Sequence, residues 1–385
     1  SVLYTSVLQT PILLLGSLII LVLGFKELGG WDEMMRVCGA VTVNDYGDTM
    51  TNLIRSNDDA NFPWLGALIG SAIIGFWYWC TDQFIVQRVL SGKNEMEARR
   101  GTIFGAYLKL LPVFLFLIPG MIAFALHQKY IGAGGEGFLP MLENGTANAD
   151  AAFPTLVAKL LPAGVKGLVV CGILAALMSS LASLFNSSAM LFTIDFYKRF
   201  RPQTSEKKLV GIGQVATVVI VILGILWIPI MRSVGDVLYT YLQDVQSVLA
   251  PGIAAAFLLG ICWKRTSAQG GMWGLISGMV IGLTRLGAKV YYSNAGEVAD
   301  STFKYLFYDM NWLFFCGWMF LFCIIVVIVV SLATEAPTAE KIQGLVFGTA
   351  TKEQKASTRA SWNHWDIIHT VIILAITGAF YWYFW

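Results

Sequence analysis

Charge is scarce in this sequence: 13% of its 385 residues are Asp, Glu, Lys or Arg, against roughly a quarter in soluble domains. The formal net charge is only +2, so no large basic field points to nucleic acid. There are three histidines, His127, His364 and His369, placed in loops or near a helix end. No nucleophile–base arrangement and no nucleotide motif accompanies them, which argues against an enzyme. The six cysteines, Cys38, Cys80, Cys171, Cys262, Cys316 and Cys323, lack metal-ligand spacing. All but Cys38 fall in or at the ends of apolar stretches, and they read as buried thiols.

What the chain has instead is apolar length. Hydrophobic residues make up 56% and the mean hydropathy is +0.66. They gather in nine blocks, at 8–25, 64–85, 101–126, 164–192, 209–230, 238–262, 270–287, 312–333 and 367–385. Each has about the length a helix needs to cross about 30 Å of hydrocarbon. Lipid offers the backbone no hydrogen-bond partner, so spans must be helices or the strands of a closed barrel. Continuous apolar runs exclude the barrel, whose strands alternate. The fold class expected is an all-α membrane protein with nine transmembrane helices.

Basic residues in the connections predict orientation. The segment after the second block carries Arg88, Lys93, Arg99 and Arg100, and the one after the fourth carries Lys198, Arg199, Arg201, Lys207 and Lys208. Lys264 and Arg265 follow the sixth, and Lys341, Lys352, Lys355 and Arg359 lie in 334–365. By contrast, 26–62 holds seven acidic residues against three basic ones, and 127–163 contains Glu136, Glu143 and Asp150. The N-terminus is therefore expected in the cytoplasm and Trp385 outside, within an aromatic belt of Tyr381, Trp382, Tyr383 and Phe384. The sequon at Asn144 falls in an outside loop, where it is a glycosylation acceptor or a chance occurrence. Ser1 in place of Met, with an apolar block within ten residues of it, predicts a missing N-terminal part.

Polar side chains inside spans are costly and therefore informative. Trp77-Tyr78-Trp79-Cys80-Thr81-Asp82-Gln83 runs from aromatics into an acid and an amide. It reads as a site, or as an interfacial belt in which Asp82 pairs with Arg88. Lys109 stands some eight residues into its block, about 12 Å deep at 1.5 Å per residue, which favours a polar cavity over snorkelling. Ala176, Ser179, Ser180 and Ser183, followed by Asn186, Ser187 and Ser188, form a stripe of small residues. Such a stripe packs helices closely, or offers hard oxygen ligands to a small monovalent cation. Gln243, in Tyr241-Leu242-Gln243-Asp244-Val245-Gln246-Ser247 before Pro251-Gly252, lies on a kinked cavity-lining helix or in a short outside loop. A cation, amides, aromatic faces and hydroxyl pairs on separate helices suit a neutral polyhydroxylated ligand: amides and ammonium read the edge of a sugar ring while an aromatic stacks its face.

The strings WYWCTDQFIVQR, GAYLKLLPVFLFLIPGMI, AALMSSLASLFNSSAMLFTIDFY and LAPGIAAAFLLGICWKR make the chain resemble the sodium/solute symporter family, specifically its sodium-glucose cotransporter branch. The similarity runs from about Leu8 through the ninth block. The resemblance implies a LeuT-type inverted-repeat core. Residues 1–30 would be the last helix of the first repeat, 60–262 the second repeat of five helices, and 268–385 peripheral helices. The N-terminal helices of the first repeat have no counterpart here.

The same resemblance implies roles. Tyr78 corresponds to the aromatic that gates the sugar from the cytoplasmic side, flanked by Trp77 and Trp79. Lys109 and Gln243 correspond to sugar-binding positions. Ala176, through its carbonyl, and Ser179 and Ser180, through their hydroxyls, correspond to part of a sodium site. Asp82, Gln83 and Arg88 share the gating motif. What is implied is sodium-coupled sugar symport by alternating access, with sodium as coupling ion and no organic cofactor, in a plasma membrane or bacterial inner membrane. The other sodium ligands and several sugar contacts would come from helices absent here, from a separate N-terminal chain or from a homo-oligomer. Another small solute, myo-inositol or a carboxylate, and a non-transporting sensor with the same fold are the alternatives.

Overall fold

The computed structural model describes residues 2–142, 145–234, 238–295 and 299–384. Ser1, Glu143, Asn144 and Trp385, invoked above, lie outside the described residues. Helix α1 (Val2–Leu28) is followed by α2 (Trp31–Gly39). Next, α3 (Trp64–Phe76) runs into a π-helical turn, Trp77–Thr81, and then α4 (Gln83–Leu90). Helix α5 (Glu95–Pro112) continues through a second π turn, Val113–Leu117, into α6 (Ile118–Gly132). After α7 (Ala152–Leu160) comes α8 (Ala163–Met190), extended by a π turn, Leu191–Tyr197, and α9 (Lys198–Phe200). The rest is α10 (Glu206–Val234), α11 (Leu238–Cys262), α12 (Ala268–Asn294), α13 (Thr302–Lys304), α14 (Trp312–Ala333), α15 (Ala339–Ile342), α16 (Lys352–Ala360) and α17 (His364–Tyr383).

Among the described residues, eight helical stretches are long and apolar enough to cross a membrane, one fewer than the nine expected. The exception is the seventh block. It is helical throughout, as the 27-residue α12, but Gly270, Gly271, Gly274, Gly278, Gly282, Gly287 and Arg285 dilute its apolarity. A helix packed on protein can carry such residues because its neighbours, rather than lipid, meet them. Two spans exceed expectation, Glu95–Gly132 and Ala163–Phe200, each 38 residues.

Contacts divide the chain into two units. The first comprises Ser1–Thr51 and Ala106–Arg232. There α1 lies against α6 and α8, and Ile20, Leu28, Ile118, Ile122, Leu126, Leu156 and Val169 form the core. Gly29 and Gly30, at φ 112° and 108°, make the turn that lays α2 across this core, conformations that L side chains rarely adopt. Met34 and Cys38, four apart, then share the buried face of α2. Burial pushes the Cys38 thiol up to about 11.

The second unit comprises Asn52–Gly105 and Ser233–Trp385. Helices α11, α12 and α14 pack on one another, and α3 lies on α11 and α14. Helices α11 and α12 approach closely at Gly252 and Gly278, where a Cβ on Gly278 would stand 2.9 Å from the Cα of Gly252. Val248, Ala255, Phe315, Met319 and Cys323 fill the space around it. The cysteine reading needs correction: Cys38, Cys316 and Cys323 are buried, but Cys80, Cys171 and Cys262 are exposed. In a membrane protein an apolar block serves lipid as well as protein, so membership of a block does not imply burial.

Two outcomes follow from this packing. Gly278→Leu should force α11 and α12 apart and cost about 1–3 kcal/mol, seen as a lower unfolding midpoint in detergent; Gly287→Ala, inside the same helix with open space around it, should not lower the midpoint and should raise it slightly. A thiol titrating near 11 is about one-thousandth thiolate at pH 8. A variant retaining only Cys38 should therefore resist iodoacetamide at pH 8 until denaturant exposes the thiol, and rapid alkylation of the native protein would contradict its burial.

Candidate functional site

The aromatic run sits where a helix is widened and then broken. After Phe76 the ladder shifts to π spacing, and the Trp77 carbonyl accepts from both the Thr81 hydroxyl, at 2.7 Å, and the Asp82 amide, at 3.1 Å. Asp82 is extended, at φ −74° and ψ 117°. Its Oδ1 accepts from the Phe84 amide at 3.0 Å, so its side chain caps the restarted helix α4. The Arg88 guanidinium lies 4.8 Å from the Phe84 ring centre. Tyr78 and Trp79 meet edge to face at 5.2 Å. Trp77 packs with the cluster that includes Ala250 and Ala254 of α11, whereas Trp79 is exposed. π turns recur at functional sites because they re-aim side chains and carbonyls within an otherwise regular helix.

On α11 the expected polar stretch is helix rather than loop. Pro251 has no N–H to give the Ser247 carbonyl, which supports the kink expected there. Gln243 is half-buried, and its amide nitrogen donates to the Tyr239 hydroxyl at 3.4 Å. The π turn packs against α11, so Trp77, Tyr78 and the helix carrying Gln243 belong to one assembly.

The adjacent Asp244 anchors a group that the sequence analysis missed. Lys289 of α12 donates to Asp244 Oδ2, and an Arg285 nitrogen lies 3.5 Å from Asp244 Oδ1. Arg285 has no solvent exposure. It also donates to the Met310 carbonyl at 2.7 Å and stands 4.1 Å from the Phe315 ring centre. The signal was present: an acid inside the sixth block, and two cations four apart in and just beyond the seventh. It went unused because nothing local says that the three meet.

The remaining expected residues lie in the other unit. Lys109 ends the charged face of α5, three residues before Pro112. Its side chain is exposed. On α8, the Ser183 hydroxyl bonds back to the Ser179 carbonyl at 3.1 Å, and Ser187 does the same to Ser183 at 2.9 Å. These two hydroxyls serve their own helix. Ser180 is exposed and Ala176 and Ser179 are half-buried, within about one turn. Their hydroxyls and the second lone pair of the Ala176 carbonyl make an all-oxygen donor set, which fits a small hard cation. His127 is structural: its buried Nδ1 accepts from the Leu139 amide at 3.0 Å.

The description of the sodium:solute symporter family matches residues 1–278. The chain is 35% identical over 411 residues to the sodium/mannose cotransporter SLC5A10 of Bos taurus, covering 100% of this chain and 68% of that protein. It is 36% identical over 360 residues to sodium/myo-inositol cotransporter 2 of Homo sapiens, covering 91% and 53%. It is 38% identical over 362 residues to sodium/glucose cotransporter 1 of Ovis aries, covering 87% and 53%. The chain thus spans about half the length of most of these relatives, which are transporters and not enzymes.

Asp244→Ala should leave the buried Arg285 and the half-buried Lys289 without a counter-charge and cost about 3–5 kcal/mol, lowering the unfolding midpoint. Asp244→Ala with Lys289→Met should recover part of the loss, and a double-mutant cycle with no coupling would remove the pair from the account.

Proposed function

We propose that this chain, which belongs to the sodium:solute symporter family, carries the later part of a sodium-coupled sugar transporter built on a LeuT-type inverted repeat. The observation that carries this reading is the π-widened, broken helix at Trp77–Asp82 packed on the proline-bearing α11, in a family member whose relatives are named for mannose, glucose and myo-inositol. Residues 1–30 would close the first repeat, 60–262 form the second and 268–385 flank it. The basic connections favour a cytoplasmic N-terminus and an outside C-terminus, in a plasma membrane or bacterial inner membrane.

Tyr78, with Trp77 and Trp79 beside it, covers a face of the sugar and gates its exit toward the cytoplasm. Gln243 and Lys109 hydrogen-bond hydroxyls on the ring edge, Gln243 as donor and acceptor and Lys109 as donor. The break at Asp82 is the hinge: Asp82 caps the restarted helix, and Gln83 and Arg88 move with it. Ala176, Ser179 and Ser180 supply the oxygens of one wall of a sodium site. The ion supplies a driving force of about 2.3 kcal/mol per charge per 100 mV, besides its concentration gradient. No bond is broken. Ion and sugar favour the same occluded state, so each raises the affinity for the other, typically by about 1–3 kcal/mol.

Myo-inositol is the second reading. It presents a ring of hydroxyls to the same donors, and four of the similar relatives are named for it.

The test is uptake of labelled glucose, galactose, mannose and myo-inositol into proteoliposomes containing the full-length gene product. Uptake should require sodium. Lys109→Ala should raise the half-saturating sugar concentration about tenfold, or about 1.4 kcal/mol. Ser180→Ala should raise the half-saturating sodium concentration by a similar factor and leave the sugar dependence at saturating sodium nearly unchanged. Strongest uptake of myo-inositol selects the second reading, and uptake of none of the four abandons polyol transport.

A further inference from the structure

Helix α17 is 20 residues of spanning length, yet none of its apolar window is buried in protein. Between its first turns and those of α5, with α16 at the mouth, lies a cavity of about 780 Å³ within the second unit. In a bilayer such a gap is filled, because hydrocarbon-depth surface is left neither void nor wet.

The walls say by what. Both helices enter from the same end, and the cavity changes character along them. Near the helix starts it is lined by Glu95, Arg99 and Asp366, and further in by Ile103 and Val371. Eight residues separate Glu95 from Ile103, or about 12 Å of helix. This is the profile of an interface, polar outside and apolar within. Arg99 donates one guanidinium nitrogen to the Ser361 hydroxyl at 3.2 Å, and its Nε is buried with no hydrogen-bond partner. Asp366 caps α17, its Oδ2 accepting from the Asn363 amide at 2.8 Å.

We propose that this cavity binds a zwitterionic phospholipid with a primary ammonium, of the phosphatidylethanolamine class. The guanidinium of Arg99, which lines the cavity, takes the phosphate through its terminal nitrogens, a charge-assisted bond to an oxyanion. Glu95 and Asp366 take the ammonium, and the acyl chains run inward past Ile103 and Val371 beside α17. The charges decide between headgroups. One cation and two carboxylates repel a lipid that carries only negative charge, and an ammonium without N–H groups cannot donate to Glu95. The lipid is then the contact that α17 lacks with protein, joining it to α5.

The experiment is native mass spectrometry of the full-length gene product, delipidated in detergent and titrated with dioleoyl phosphatidylethanolamine, phosphatidylcholine and phosphatidylglycerol at equal concentrations. The ethanolamine lipid should bind best, by about tenfold over the glycerol lipid and several-fold over the choline lipid. Arg99→Ala should lower its affinity about tenfold, and Arg100→Ala, an exposed neighbour outside the cavity, should not. Glu95→Gln should erase the preference for ethanolamine over choline. The proposal is overturned if the ethanolamine lipid is not retained, if the glycerol lipid binds as well or better, or if the Arg99 and Arg100 variants behave alike while both keep the parent's unfolding midpoint.

Discussion

A backbone amide in hydrocarbon has no partner but another backbone, and the rest of this structure depends on that. It makes every span a helix, and it makes each interruption of a helix expensive unless something replaces the lost bond. At the end of α3 the replacement is supplied locally. The Trp77 carbonyl serves both a hydroxyl and an amide, and the Asp82 carboxylate caps the helix that restarts after it. A break stabilised in this way can persist at membrane depth, and it sets a run of three aromatic rings directly before a capping acid.

Side-chain burial follows a second rule, that close approach of helices in lipid needs small residues rather than large apolar ones. Helices α11 and α12 meet at Gly252 and Gly278, where no side chain intervenes. That proximity brings Asp244 within reach of Arg285 and Lys289. The ion group would be costly on a lipid-facing helix. Here the carbonyls of Leu306 and Met310 and the Phe315 ring surround the guanidinium. The group lies next in sequence to Gln243, so the segment that presents this amide is held to α12 by charge as well as by packing. The α5–α17 cavity is the opposite case, a place where protein does not reach protein and an interfacial lipid completes the contact.

Much of the architecture was legible in the sequence, because apolar length is a local property. Among the described residues, eight of the nine blocks correspond to candidate spans, and the exception, the seventh, is still a helix. The locations of the polar clusters were legible for the same reason: a polar residue inside an apolar block stands out without any knowledge of its neighbours. The burial expected for Cys80, Cys171 and Cys262 failed for a physical cause. Hydropathy does not tell a face turned to protein from a face turned outward.

The sequence alone determined that this is a helical membrane protein, where its helices run, and to which transporter family it belongs. Those properties rest on runs of adjacent residues and on motif strings that need no fold to be read. Only the tertiary structure decided that the second span breaks at Asp82, that Asp244 pairs with cations some 40 residues onward, and that α12 lies against protein at a glycine contact. Each depends on which groups meet across the helix packing. A charge or a carbonyl takes its meaning from the partner within a few ångströms, and that partner is set by the fold and not by the neighbouring residues in the chain.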